Sequence, residues 1–202
     1  MKPIPFSGPM IHALLDGKTQ TRRVASLPAE AIVTRLSERL WQYEMPNLTI
    51  PDCQLIECPY GAIGDQLWVS EAWYIDRRFD KQKHLPVPPS SATPVVFYAA
   101  DKLLRPADFG IYRNARSMPR WASRFTLRVE HVDIQKIQAI TWVDCQAEGI
   151  RVTDVGLGHN EMEVKPTNAY INAFRKMWET TNGIGNWTAN PWVWALTFTL
   201  RS

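Results

Sequence analysis

The chain has 202 residues, 45% of them hydrophobic, enough to bury the core of one domain. Its 23 Lys and Arg against 20 Asp and Glu leave a net charge of +3, which suits an anionic partner but excludes tight, purely charge-driven binding to duplex nucleic acid. Three cysteines at irregular spacing (Cys53, Cys58 and Cys145) exclude a disulfide scaffold, and no second ligand pair accompanies Cys53 and Cys58, so neither a metal nor any other cofactor is expected.

In chain order, "SGPMIHALLDG" predicts a short helix. Ser7 stands at the cap, Pro9 in the first turn and Gly17 at the left-handed position that ends it. Met10, Ile11, Leu14 and Leu15 form its apolar face. Residues 29–40 predict a polar helix and 46–58 a loop. "CPYGAIGDQLWVSEAWY" predicts a turn and then a strand, with Leu67 and Val69 alternating against Gln66, Trp68 and Ser70. The proline-rich "HLPVPPSSATP" predicts an exposed insertion, and "VVFYAAD" a short strand.

"SRFTLRVEHVDIQKI" is the strongest strand signal. Val132 and Ile134 are out of phase with Phe125, Leu127 and Val129, which predicts a bulge near Glu130 and His131. "TWVDCQAEG" predicts a helix with Thr141 and Asp144 as a capping pair and Gly149 as the stop. Tyr170, Phe174, Met177 and Trp178 mark a longer helix that ends at Asn182-Gly183. "NPWVWALTFTL" alternates as a final strand. The sum is a single α+β domain over 1–202, a small, mostly antiparallel sheet or barrel with loop insertions near 25–58, 76–118 and 151–165. No stretch reaches the roughly 18 apolar residues of a membrane span, and "MKPIPFSGPM" lacks a signal's apolar core. The expected setting is the cytoplasm, with no membrane partner.

The chemistry-bearing stretch is "DGKTQTRRV". Its Gly-Lys-Thr invites a phosphate-loop reading, but the upstream glycine is absent and a helix precedes it where a strand is required. A solvated basic turn is the plainest alternative. Along a straight strand Thr21 and Arg23 share one face and Lys18, Gln20 and Arg22 the other, so Lys18 and Thr21 converge only if the chain bends after Gly17. Glu148, in the last turn of its helix, faces the negative end of the helix dipole, which together with burial disfavours the ionised form and suits a proton carrier. Glu71 and Trp68 follow the Gly64-Asp65 turn, on the polar side of their strand or at a cleft rim. No Ser-His-Asp or Cys-His set is evident.

The segments "SGPMIHALLDGKTQTRRV", "CPYGAIGDQLWVSEAW", "MPRWASRFTLRV", "DCQAEGI" and "NPWVWALTF", in that order, resemble ASCH domain proteins, especially the longer ones often carried by phages and prophages. The resemblance implies a PUA-like β-barrel with flanking short helices, and a cleft that handles RNA or modified nucleosides. A small bacterial member of that family is an amidohydrolase that deacetylates N(4)-acetylcytidine. By the same resemblance Lys18, Thr21 and Glu148 match its catalytic set and Arg23 its arginine. In that reading Thr21 is the nucleophile and a neutral Lys18 its base. Glu148 delivers a proton to the leaving cytidine amine, and no metal takes part. Arg22 and Arg23 flank the substrate, and Tyr60, Trp68 or Trp192 offers a stacking surface for the base. The expected partner is a modified cytidine nucleoside or RNA. An RNA-binding module, or a ribonuclease using the same basic cleft, is the alternative.

Overall fold

The computed structural model describes residues 1–46, 53–81, 95–101, 109–151, 153 and 166–201. The proline-rich insertion at 84–94 and nearly all of the predicted 151–165 loop lie outside them. The main sheet has five strands in the order β1 (Lys2–Pro5), β6 (Gln66–Ser70), β9 (Thr126–Lys136), β10 (Trp192–Arg201), β2 (Gln20–Val24). Every pairing in it is antiparallel except β1 with β6. A second sheet joins β3 (Ile32–Arg35), β4 (Leu40–Glu44) and β5 (Gln54–Glu57), and a third joins β7 (Trp73–Ile75) and β8 (Val96–Tyr98). The α-helices among the described residues are α1 (Gly8–Leu15), α2 (Trp142–Ala147) and α3 (Pro166–Asn182), and no helix there is long and apolar enough to cross a membrane.

Among the described residues the expected barrel does not form: all three sheets are open. The cause is legible in β1. Phe6 donates its N–H to Ser70 on the β6 side, so the alternation of a strand turns Pro3 and Pro5 to the free edge. Proline has no N–H, and that edge therefore has no donors with which to pair β2. The two free edges are instead joined by a side chain. Arg23 on β2 donates from Nη2 to the Pro5 carbonyl at 2.6 Å, with its guanidinium carbon 5.5 Å from the centre of the Phe6 ring.

The segment at 29–40 is likewise a strand and a turn rather than a helix. The β-branched run Ile32-Val33-Thr34 suits a pleated surface, and β4 anchors the small sheet by burying Trp41 edge-on against Trp194, ring centroids 5.0 Å apart. Ser7 occupies the N-cap of α1, but its hydroxyl makes no capping bond.

The expected loop at 46–58 also differs, since 54–57 form β5 by pairing with β4. Several other local readings match the fold. Thr197 opposes His131 while Phe198 opposes Val129, so Glu130 is the extra residue of a bulge in β9. Thr141 and Asp144 form a complete capping box on α2. Leu67, Val69, Leu127, Val129, Val132, Leu196 and Phe198 bury fully on one face of the main sheet with Ile4, Phe6 and Ile11. Each such side chain contributes about 1.5–3 kcal/mol of transfer free energy. On the opposite face α2 and α3 close a second cluster, in which Cys145, Tyr170, Phe174 and Trp178 pack against Val193 of β10.

Candidate active site

Two helix ends build the site. At the end of α1, Gly17 takes φ +95°. Its N–H reaches the Leu14 carbonyl at 3.2 Å, and the Lys18 N–H reaches Ala13 at 2.9 Å. At the end of α2, Gly149 takes φ +94°, its N–H bonds to Gln146 at 2.8 Å and the Ile150 N–H to Cys145 at 3.0 Å. Both are Schellman turns, which satisfy the last carbonyls of a helix through a left-handed glycine. The turns pack together. A Cβ on Gly149 would lie 2.6 Å from the Ala13 Cβ, and the Thr19 N–H bonds to the Ala147 carbonyl at 2.9 Å. The chain therefore does turn after Gly17, and Lys18 is delivered to the C-terminus of α2.

There Lys18 Nζ donates to Glu148 twice, to its backbone carbonyl and to its carboxylate Oε2, both at 2.6 Å. A cation at this position completes an orphan helix carbonyl and meets the negative end of the dipole. The pair is sealed from solvent, with side-chain exposures of 1% for Lys18 and 3% for Glu148. Burial lowers the proton affinity of Lys18. Glu148 opposes that shift, Arg23 and Arg22 reinforce it, and the net effect is downward. Two tetrahedral positions of Nζ are spent on Glu148. The third carries a proton in the ammonium and a lone pair in the amine, and it has no partner among the described residues.

Arg22 extends the pair into a network. Nη1 donates to Glu148 Oε1 and to Gln20 Oε1, both at 3.1 Å, and Nη2 lies 3.2 Å from Asp144 Oδ2. The Gln135 amide oxygen, in the orientation that satisfies both donors, accepts from Nη2 and Nε at 3.1 Å each. Burial raises the Asp144 carboxyl, but bonds from Thr141 and the Arg22 charge outweigh it and hold it below its usual value. Arg22 is thus wholly engaged with protein groups.

Thr21 lies opposite Leu196, 1% exposed, and by alternation shares its face of β2 with Arg23. Its hydroxyl has no hydrogen-bond partner among the described residues. Arg23 is the less committed cation: Nη2 bonds to Pro5, its buried Nε has no partner, and no carboxylate is in ion-pair reach among the described residues. Burial lowers Arg23, against the opposing influence of Tyr60 and Glu148, and a guanidinium keeps its charge throughout the physiological range.

Lys18, Arg22, Arg23 and Glu148 therefore form one electrostatic unit, with Tyr60 bordering it through Arg23. Thr21 is their neighbour along β2 but lies on the face opposite Arg22, and no contact among the described residues joins it to Lys18 or Glu148. The remaining expected substrate contacts have other partners. Trp68 packs into the cluster around Trp73, Ile75, Met118 and Ala122. Trp192 borders the main core, with Lys136 Nζ 4.6 Å from the centre of its ring. Glu71, itself buried, is held by Arg124 through Nε at 2.8 Å and Nη2 at 2.9 Å, and Arg124 also pairs with Asp101.

Asp144, Gln20 and Gln135 were missed as members of the network. For Asp144 a signal exists: it stands four residues before Glu148, so the two carboxylates share a helix face on which one arginine can span both. Among the described residues no group of three or more His, Cys, Asp and Glu is placed to hold a metal ion. No protein-family model, no curated protein and no solved structure matches the chain.

Proposed function

We propose that this site hydrolyses an amide, with N(4)-acetylcytidine or a related N-acylated cytosine nucleoside as substrate. The observation that carries the reading is the buried Lys18–Glu148 contact at 2.6 Å, in which burial favours the neutral amine that a general base requires. The choice of acyl-cytidine rests on the resemblance of the segments around Lys18, Thr21 and Glu148 to ASCH domain proteins.

In this mechanism the Thr21 hydroxyl oxygen attacks the acyl carbonyl carbon as its proton passes to the lone pair of Lys18. The oxyanion forms beside Arg23, whose guanidinium has donor capacity to spare. Collapse of the tetrahedral intermediate breaks the C–N bond, and the proton returns through Lys18 and Glu148 to the departing cytidine N4. Water then attacks the Thr21 ester with Lys18 again as base, releasing the carboxylic acid and restoring the hydroxyl.

The test is release of cytidine from N(4)-acetylcytidine by the purified protein, run beside an RNA degradation assay on the same preparation. The expected result is nucleoside turnover that is lost in Thr21→Ala and Lys18→Met. Full activity in either variant, or RNA cleavage without deacylation, overturns the reading.

A further inference from the structure

We propose that Asp144 is a positioning residue of this site: it anchors the Arg22 guanidinium, which in turn fixes the Glu148 carboxylate against Lys18. Three features set Asp144 apart from an ordinary capping residue. First, its Oδ2 already accepts from the Thr141 N–H at 3.0 Å and hydroxyl at 2.7 Å, which completes the cap; the contact to Arg22 Nη2 at 3.2 Å is additional. Second, the guanidinium it holds is 2% exposed in its side chain and spans Asp144 and Glu148 through different nitrogens, a rigid fork that only arginine supplies. Third, Glu148 Oε1 faces Arg22 while Oε2 faces Lys18, so the carboxylate cannot rotate without breaking one charged contact.

The charged and titratable groups around this centre come from β2, α2, β9 and the turn at Tyr60. Strand β2 contributes Arg22 and Arg23, and α2 with its cap contributes Asp144, Cys145 and Glu148. Burial raises the Cys145 thiol to about 12, so it stays neutral. Tyr60 acts through Arg23, and β9 presents Gln135 to Arg22 and, on the same face, the carboxyl-bearing Asp133, which lies across Ala195 from Arg22. In this arrangement Asp144 has a second effect. By Coulomb's law a carboxylate 3.2 Å from Arg22 Nη2 counters the guanidinium charge through which Arg22 lowers Lys18.

The kinetic arm of the test rests on the hydrolase reading; the titration arm does not. The titration of Lys18 is followed by NMR in protein labelled with 13C at the lysine Cε, assigned by loss of the signal in Lys18→Met. Asp144→Asn removes the offsetting charge, so the Lys18 midpoint is expected to fall by about half a pH unit or more. Thr141→Ala weakens the same helix cap while leaving the Asp144 charge in place, and its midpoint is expected to stay at the wild-type value. With the nucleoside substrate, kcat of Asp144→Asn is expected to fall about tenfold with KM unchanged, because Asp144 fixes a group and does not touch substrate. If Asp144→Asn is recovered unfolded, Asp144→Ser removes the charge with a smaller side chain and is read in the same way. An unmoved midpoint in the charge-removing variant, or an equal shift in Thr141→Ala, overturns the positioning role. A wild-type protein that fails to release cytidine overturns the hydrolase reading and leaves the titration result to decide the role of Asp144.

Discussion

Replacing Glu148 with Gln probes the buried network most directly. The side chain keeps its shape but loses the charge that Lys18 and Arg22 share. Removing one partner of a buried ion pair ordinarily costs about 3–5 kcal/mol, because the other is left as an uncompensated buried charge. Arg22 still has Asp144, so the uncompensated group is Lys18. Lys18 can escape the penalty by giving up its proton, since burial already depresses its affinity and Glu148 is the main opposing influence. The sign follows by linkage. A lysine with a depressed native pKa contributes stability that is fully present above its unfolded value of about 10.4 and is lost as pH falls through the native value. Glu148→Gln depresses Lys18 further and so extends that window downward. The destabilisation should therefore be small near pH 9.5. It should grow towards pH 6.5 by up to about 1.4 kcal/mol per pH unit, over the interval in which Lys18 is charged in native wild type and neutral in the variant. Urea unfolding of both proteins at pH 6.5, 8 and 9.5 measures this. A difference that is the same at all three pH values would refute the account of Lys18.

Further outcomes follow from the same contacts. Thr21→Ala should lower nucleoside turnover on the order of 10³-fold or more while shifting stability by less than about 1 kcal/mol, since the hydroxyl has no hydrogen-bond partner to lose among the described residues; assay and thermal unfolding together decide it. Gly149→Ala should destabilise by at least about 2 kcal/mol, because the left-handed backbone costs roughly 1–2 kcal/mol and the new methyl meets Ala13; Ala13→Gly should restore only the part due to the clash, as read by urea midpoints. Burial raises the Glu71 carboxyl despite its bonds to Arg124, so its contribution is present below its unfolded value near 4.3 and is lost as pH rises through the raised native one. Glu71→Gln should remove that slope, and parallel stability curves from pH 4 to 7 for the two proteins would contradict it.

Much of the local structure was legible because it rests on short-range rules. The bulge at Glu130 shows as a break in alternation. The box at Thr141 and Asp144 and the stops at Gly17 and Gly149 are statements about single helix ends. The strand at 32–35 does not show in the sequence because its polar residues leave only a weak period, and what holds it is the burial of Trp41 on a strand some 150 residues away. The expected barrel failed for a reason the sequence does carry, the prolines at positions 3 and 5. Their effect depends on which edge they face, and that is settled only once β1 docks on β6.

The same division applies to the site. The sequence by itself determined which polar residues stand at which local positions: a lysine and a threonine beyond a helix-ending glycine, flanked by two arginines, and a glutamate at the end of another helix. Those are properties of residue type and local geometry, and they travel with the chain. Only the tertiary structure decided that the two helix ends meet, that Glu148 is divided between Lys18 and Arg22, that Asp144 holds Arg22 from behind, and that Glu71 belongs to Arg124 instead. The reason is that a charge acts through distance and burial. Lys18 and Glu148 are 130 residues apart along the chain and 2.6 Å apart in the fold, and no local pattern records that approach.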